Sequence, residues 1–111
     1  MKLWIDDVRP APEGYLPFQT VNDTLRYIRL NSEFIDVIDI DHDAGDCAPE
    51  GGDYIEILKE MERLSNMPTS ESYYWEGWLK NQVVFHFHSS NPVGVQNMRA
   101  IIQANGWKEI R

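Results

Sequence analysis

The sequence has little cysteine, little positive charge and no long apolar run. Cys47 is the only cysteine among 111 residues, which excludes an intramolecular disulfide and is typical of a reducing compartment. Ten Lys and Arg stand against eighteen Asp and Glu, so the net charge is −8 and we expect no extended nucleic-acid surface. No apolar run could cross a bilayer, and the first residues lack the order of a signal peptide. We therefore expect a cytoplasmic protein, whose charge leaves room for a small phosphate-bearing ligand at one local site.

Three apolar, β-branched runs end abruptly in polar residues. Such runs predict buried strands that deliver polar side chains to their carboxyl-terminal tips. Open α/β sheets place their chemistry at these tips, so parallel, neighbouring strands would bring the polar residues to one crevice. The runs are residues 2–5, 34–40 and 83–87, followed by Asp6 and Asp7, by Asp41 to Asp43, and by His88 to Asn91.

The remaining pattern alternates strands with helices. Apolar residues at three- and four-residue spacing predict helices over about 22–31, 53–64 and 92–104, with short strands near 18–21 and 107–110. This alternation predicts one α/β domain over residues 1–111, built on a mostly parallel sheet. The first connection carries Pro10 and Pro12 and has no helical period, so a first helix is reduced or missing. Residues 66–82 interrupt the pattern, and their aromatic cluster, Tyr73–Trp78, is expected to cover a sheet edge or a core opening.

Three motifs in order resemble the cyclic-phosphate processing receiver domain family of bacterial and phage proteins. They span Leu3–Pro12, Ile40–Gly45 and His88–Gly94, with Asn97 and Met98 following the last. The resemblance implies a three-layer, flavodoxin- or CheY-like receiver fold with five parallel strands. It also implies action on the cyclic phosphate ends of RNA or on cyclic nucleotides. The chain departs from the family at Ala44, at Asp39 and in a longer aromatic insert.

An ordinary receiver holds Mg²⁺ with acids after its first strand and phosphorylates an aspartate after its third. Asp6, Asp7 and Asp41 match this acidic part. The receiver lysine after the last strand has no convincing match, because Lys108 stands at the start of the predicted strand and lacks the following proline. A role in phospho-signalling is therefore the weaker hypothesis.

Histidines take the place of that lysine. Cleaving a 2′,3′-cyclic phosphate needs a base to activate water and an acid to protonate the leaving oxygen, and two imidazoles serve both roles near neutral pH. The candidate catalytic residues are His42, its neighbour Asp41, and His88. The candidate substrate-binding residues are Arg9, as a bidentate phosphate clamp, and Ser89 and Asn91, as neutral donors.

A metal site competes for the same crevice. Four carboxylates around one point are tolerated only when a cation or protons relieve their repulsion. Oxygen ligation favours Mg²⁺ or Mn²⁺, and a histidine ligand would favour Mn²⁺ or a softer ion. The candidate ligands are Asp6, Asp7, Asp41 and Asp43.

Three functional classes stay open at this point. The first is a cyclic phosphodiesterase, and the second is a degenerate receiver that binds a metal or phosphate without catalysis. The third is an acidic interaction domain that contacts a protein partner through the Tyr73–Trp78 cluster. His86 and Asp39 read as hydrogen-bonded core residues in all three.

Overall fold

A computed structural model describes every residue from Met1 to Arg111 and contains one five-stranded sheet. All neighbouring strands are parallel, which confirms the receiver-like α/β fold. The second strand begins earlier in the chain than predicted and lies at the edge of the sheet. Pro17 has no N–H to donate, and an edge strand tolerates this because it has a neighbouring strand on one side only. The strands, in the order β2-β1-β3-β4-β5, are β1 Lys2–Ile5, β2 Tyr15–Phe18, β3 Val37–Ile40, β4 Val84–Phe87 and β5 Lys108–Glu109.

Four helices connect these strands, and none lies between β1 and β2, as predicted. Thr20 begins the first helix by accepting a hydrogen bond from the amide of Asp23, at 3.0 Å. Gly106 ends the last helix in the left-handed conformation, with φ of 70°. No helix is both long and apolar enough to pass through a membrane. The helices are α1 Val21–Asn31, α2 Ile55–Ser65, α3 Glu71–Asn81 and α4 Pro92–Asn105.

One face of the sheet forms the hydrophobic core, and we call it the covered face. Strand alternation directs every second side chain to this face, where the helices pack against it. Apolar residues of all four helices share the core with these side chains, for example Ile28, Ile57, Leu79 and Met98. The central residues of the covered face are Leu3, Ile5, Ile38, Ile40 and Phe85, all fully buried.

The opposite face of the sheet carries no helix, and we call it the helix-free face. Crossovers from β2 to β3, from β3 to β4 and from β4 to β5 run in one direction, and right-handed crossovers place all their helices on one side. The β1–β2 connection, whose crossover would place a helix on this face, contains none, so no helix of residues 1–111 forms the expected third layer. The helix-free face displays Lys2, Trp4, Val37, Asp39, Val84 and His86, none of which belongs to the core cluster.

The aromatic cluster lies on α3, where the sequence predicted an interruption. Its low amphipathic contrast hid the helix, since Tyr73 is 79% exposed, although Trp75, Trp78 and Leu79 keep helical spacing. These three side chains are buried, and the indole of Trp78 donates to the carbonyl of Ser32 at 2.8 Å. The two tryptophans therefore close the core and are not available as a contact surface.

Candidate functional site

The carboxyl ends of β1, β3 and β4 lie side by side and form the edge at which the motifs meet. Ile5 pairs with Ile40, and Ile40 pairs with Phe87, so the polar residues that follow all leave the sheet at one level. Strand alternation directs Asp6, Asp41 and His88 toward the helix-free face. We call this place the strand-end edge.

His88 is held between two buried carboxylates. Its Nε2 lies 2.9 Å from Oδ2 of Asp6, and its Nδ1 lies 2.6 Å from Oδ1 of Asp39. His86 joins the same network, since its Nδ1 lies 2.9 Å from Oδ1 of Asp39. Both ring nitrogens of His88 are therefore in use, and both face negative charge. Asp39 and His86 are therefore hydrogen-bonded, as predicted, but they lie on the helix-free face and outside the core cluster.

Asp6 is fully buried, and its carboxylate is surrounded by donors. Oδ1 accepts hydrogen bonds from the amides of Val8 and Arg9, at 2.9 and 2.8 Å. Oδ2 faces His88, with the guanidinium of Arg9 3.8 Å away. The first acid of the predicted metal set thus shapes the loop after β1.

Trp4 covers the His88 ring on the helix-free face. The two rings stack with centroids 3.8 Å apart and planes 4° from parallel. The indole donates to the carbonyl of Arg9 at 3.0 Å, and the Arg9 guanidinium donates to the carbonyl of His88 at 2.9 Å. Arg9, which was predicted to bind phosphate, therefore links the β1–β2 loop to the residue that follows β4. Its side chain is 44% exposed.

The network shifts the pKa of its members in opposite directions. Burial disfavours the charge on Asp39, but hydrogen bonds from His88 and His86 outweigh burial and lower its pKa below the ordinary 3.8. Burial also disfavours the charge on His88, yet hydrogen bonds to Asp39 and Asp6 raise its pKa above the ordinary 6.5. Folding therefore favours the charged form of both partners.

This linkage predicts how the network stabilises the fold as pH changes. The carboxylate contribution is lost as pH falls through the lowered pKa, and the His88 contribution is lost as pH rises through the raised pKa. The difference in unfolding free energy between the wild type and His88→Gln should thus be largest near about pH 5 and shrink toward about pH 9. Urea unfolding measures it, and a difference that grows toward alkaline pH would contradict the network.

His42 lies in a second group of side chains, beside the start of α4. Its Nδ1 is 2.8 Å from Oδ1 of Asp43, and its ring is 15% exposed. The amide nitrogen of Asn91 lies 3.5 Å from the same Nδ1 and 3.3 Å from Oδ2 of Asp43. The hydrogen bond to His42 lowers the pKa of Asp43, since it outweighs the effect of burial. The ring therefore has its Nδ1 side occupied, whereas Nε2 makes no hydrogen bond.

Gly94 gives the His42 ring its place against α4. A Cβ atom at this position would lie 2.4 Å from Cγ of His42, closer than any real contact allows. Asn91 fixes the same turn, because its Oδ1 accepts from the Gly94 amide at 2.9 Å and caps the helix. Asn91 and Gly94, which belong to the third motif, thus form one side of the site in which the His42 ring lies.

The other predicted site residues have separate positions. Asp41 is buried, and its Oδ1 accepts from the amide of His42 at 2.7 Å. Ser89 accepts from the amide of Asn91 at 3.1 Å and shapes the turn before α4. Asp7 lies beside Gly45, where a Cβ atom would be 2.3 Å from its Oδ2. Asp7 therefore points to the turn after β3, apart from both histidine groups.

Two groups of side chains are spaced closely enough to hold a metal ion, with ligand atoms within 4.8 Å of one another. Asp6, Asp41 and His88 form the first group, in which Asp6 and His88 are already hydrogen-bonded to each other. The second group consists of His42, Asp43 and Asp53 and retains an exposed carboxylate on Asp43. The four predicted ligands do not surround one point, since Asp43 belongs to the second group and Asp7 to neither.

Several residues of these groups were not predicted as site residues. Strand alternation places His86 on the face of His88, but it does not show that Asp39 bridges the two rings. Trp4 could have been found from the sequence, because it lies two residues before Asp6 in the chain and alternation therefore places both side chains on the same face of the sheet. Gly94 and Asp53 carried none, since their roles depend on how α4 and the turn after β3 meet.

Together these features define a receiver-like α/β domain with a histidine–carboxylate edge in place of the receiver lysine. Lys108 lies opposite Val84, at the start of the strands and away from this edge. The chain belongs to the cyclic-phosphate processing receiver domain family, whose model matches residues 1–104. No curated protein matched in a search, and no solved structure did.

Proposed function

We propose that the domain hydrolyses a cyclic phosphodiester, with the His42–Asp43 pair moving the proton. The family association with cyclic-phosphate processing supports the substrate class. The observation that carries the proposal is the free Nε2 of a ring whose Nδ1 is held 2.8 Å from a carboxylate. A carboxylate in this position orients the ring, selects the tautomer with a basic Nε2 and stabilises the charge it gains.

One imidazole suffices for the reaction. Nε2 of His42 takes a proton from water as the water oxygen forms a new bond to phosphorus. One ring P–O bond then breaks, and the same nitrogen returns the proton to the leaving oxygen. The product is a phosphate monoester. His88 has no part in these proton transfers, because both of its nitrogens are hydrogen-bonded to carboxylates.

In this proposal the turn that begins α4, whose Gly94 packs against the His42 ring, supplies donors for the phosphoryl oxygens. The hydroxyl of Ser89 accepts from the Asn91 amide and keeps its own proton to donate. The first turn of α4 presents the amide of Val93, since Pro92 has none and the Gly94 amide is capped. Asn91 is better described as a positioning residue, because its side chain already bonds the helix and the His42–Asp43 pair.

A cavity of about 880 Å³ borders the strand-end edge and has room for the rest of a nucleotide. Asp6 and Arg9 are among its lining residues, as are Phe18 and Tyr27, whose ring centroids lie 4.9 Å apart. Neither His42 nor His88 lines this cavity, so the reacting phosphate would lie outside it, over the edge.

The experiment that tests the proposal is a hydrolysis assay on 2′,3′-cyclic nucleotides and on bis-p-nitrophenyl phosphate. We expect turnover of the cyclic nucleotide by the wild type, with release of a monoester. The competing hypothesis of a degenerate receiver predicts instead that acetyl phosphate labels Asp41 in the presence of Mg²⁺. Labelling without hydrolysis would overturn the proposal and favour that hypothesis.

Gly94→Ala offers a test of the His42 position without removing its chemistry. The new Cβ atom forces the ring away from its place, so kcat/KM should fall by about 10²-fold, as for a misplaced catalytic group. Gly77→Ala is the matched control, because nothing lies within 4 Å of its new Cβ atom in α3. It should leave activity unchanged and stabilise the helix by about 1 kcal/mol. Equal activity of the two variants would argue against a catalytic His42.

A further inference from the structure

We infer that no divalent metal ion binds between Asp6 and Asp41, because the ring of His88 is built into the position that such an ion would fill. A receiver places its cation among the acids that follow β1 and β3, and here these acids are Asp6 and Asp41. Their ligand atoms lie within 4.8 Å of a ring nitrogen of His88. This inference does not depend on the proposed hydrolysis.

The oxygens of Asp6 are already committed. Two backbone amides donate to Oδ1, at 2.9 and 2.8 Å, and the His88 ring contacts Oδ2 at 2.9 Å. A metal ion would have to displace His88 from Oδ2 or break the turn that the two amides form. Mg²⁺ also keeps several of its waters, and a side chain with no exposed surface leaves them no space.

The charge that a metal would neutralise is already balanced by protein cations. Each nitrogen of His88 faces a carboxylate oxygen, the arrangement in which an imidazolium donates two hydrogen bonds to two carboxylates. The Arg9 guanidinium lies 3.8 Å from the same Asp6 oxygen. Asp6 and Asp39 therefore have cationic partners, and the repulsion that would otherwise recruit an ion is relieved.

The ring of His88 is also fixed in place. It stacks on Trp4 at 3.8 Å, its own carbonyl is tied to Arg9, and only 10% of the side chain is exposed. Turning the ring outward to admit an ion would break the stack and both carboxylate contacts at once. Asp39, which departs from the family pattern, supplies the second of those contacts. His88 thus fills the structural role that a metal ion would have beside these acids. Unlike a metal ion, it has no free position for a phosphate oxygen, because both of its ring nitrogens contact carboxylates.

Mn²⁺ binding, followed by electron paramagnetic resonance at millimolar metal, tests the inference. Asp43→Asn is the background, because it disables the separate group of His42, Asp43 and Asp53. We expect no saturable Mn²⁺ binding by this variant. The double variant Asp43→Asn/His88→Ala should gain one Mn²⁺ site, and Mn²⁺ should raise its Tm but not that of Asp43→Asn.

One bound Mn²⁺ in Asp43→Asn that is lost on adding Asp41→Asn would overturn the inference. Failure of the His88→Ala variant to fold would not leave the question open, because the Asp43→Asn and Asp43→Asn/Asp41→Asn proteins decide it alone. The readout is metal binding, so inactivity of the protein toward every cyclic phosphate would bear only on the proposed function.

Discussion

Replacing His42 with alanine should lower kcat/KM for a 2′,3′-cyclic nucleotide by about 10²- to 10⁴-fold, the range expected for loss of a general acid–base group. The physical reason is that His88, the other imidazole that follows a strand at the strand-end edge, has both of its nitrogens hydrogen-bonded. The fold should survive, because the ring lies outside the hydrophobic core and the structural bonds of this residue are made by its backbone amide and carbonyl. Steady-state kinetics and urea unfolding of the same preparations measure both expectations.

His86→Ala is the matched control for that variant. It makes the same chemical change on β4, where the ring is 34% exposed and lies on the helix-free face. We expect a loss in kcat/KM well below that of His42→Ala. Similar losses in both variants would mean that the network around Asp39, and not the His42–Asp43 pair, limits the reaction.

The second large effect concerns stability. His88→Ala should lower the free energy of unfolding by about 3–5 kcal/mol, the usual result of removing one partner from a buried ion pair. The variant leaves Asp39 without its shorter contact and Asp6 without its ring partner, and it also removes the stack on Trp4. Urea unfolding near neutral pH is the measurement.

A double-mutant cycle separates the ion pair from the lost packing. The double variant Asp39→Asn/His88→Ala should lose less unfolding free energy than the sum of the two single variants. The reason is that either single change already removes the interaction between the two charges. Additive losses, or a loss below about 1 kcal/mol in His88→Ala, would show that the buried acids do not depend on the imidazole.

The polar ends of the strands could be predicted because strand position and side-chain alternation are encoded locally. Residues such as Asp6, Asp41 and His88 stood directly after apolar runs, and the parallel order of β1, β3 and β4 brought them together. The absence of a helix between β1 and β2 followed equally from Pro10 and Pro12.

The partners within the site could not be predicted in this way. His42 and His88 occupy the same edge, but one turns to Asp43 beside α4 and the other to Asp6 and Asp39 on the helix-free face. This division depends on the path of the backbone beyond the first residue after each strand, where alternation no longer holds. The predicted acid–base pair of two histidines is therefore replaced by one free imidazole and one that is fully hydrogen-bonded.

The helix-free face and α3 show a second limit. The missing helix of the β1–β2 connection could be predicted from the sequence. Its consequence, a sheet with one uncovered face, could not, because that depends on knowing the direction of every crossover.

The helix α3 was missed because exposed Tyr73 and the small Gly77 weaken the helical pattern formed by Trp75, Trp78 and Leu79. Tertiary contacts, rather than local periodicity, stabilise that helix.

The most direct test of the account is ³¹P nuclear magnetic resonance of a 2′,3′-cyclic nucleotide incubated with the protein in the presence of EDTA. We predict that the cyclic diester signal is replaced by that of a monoester with the wild type and His86→Ala, and that it persists with His42→Ala. A cyclic signal that the wild type leaves unchanged, or that His42→Ala removes as fast as the wild type, would contradict the account.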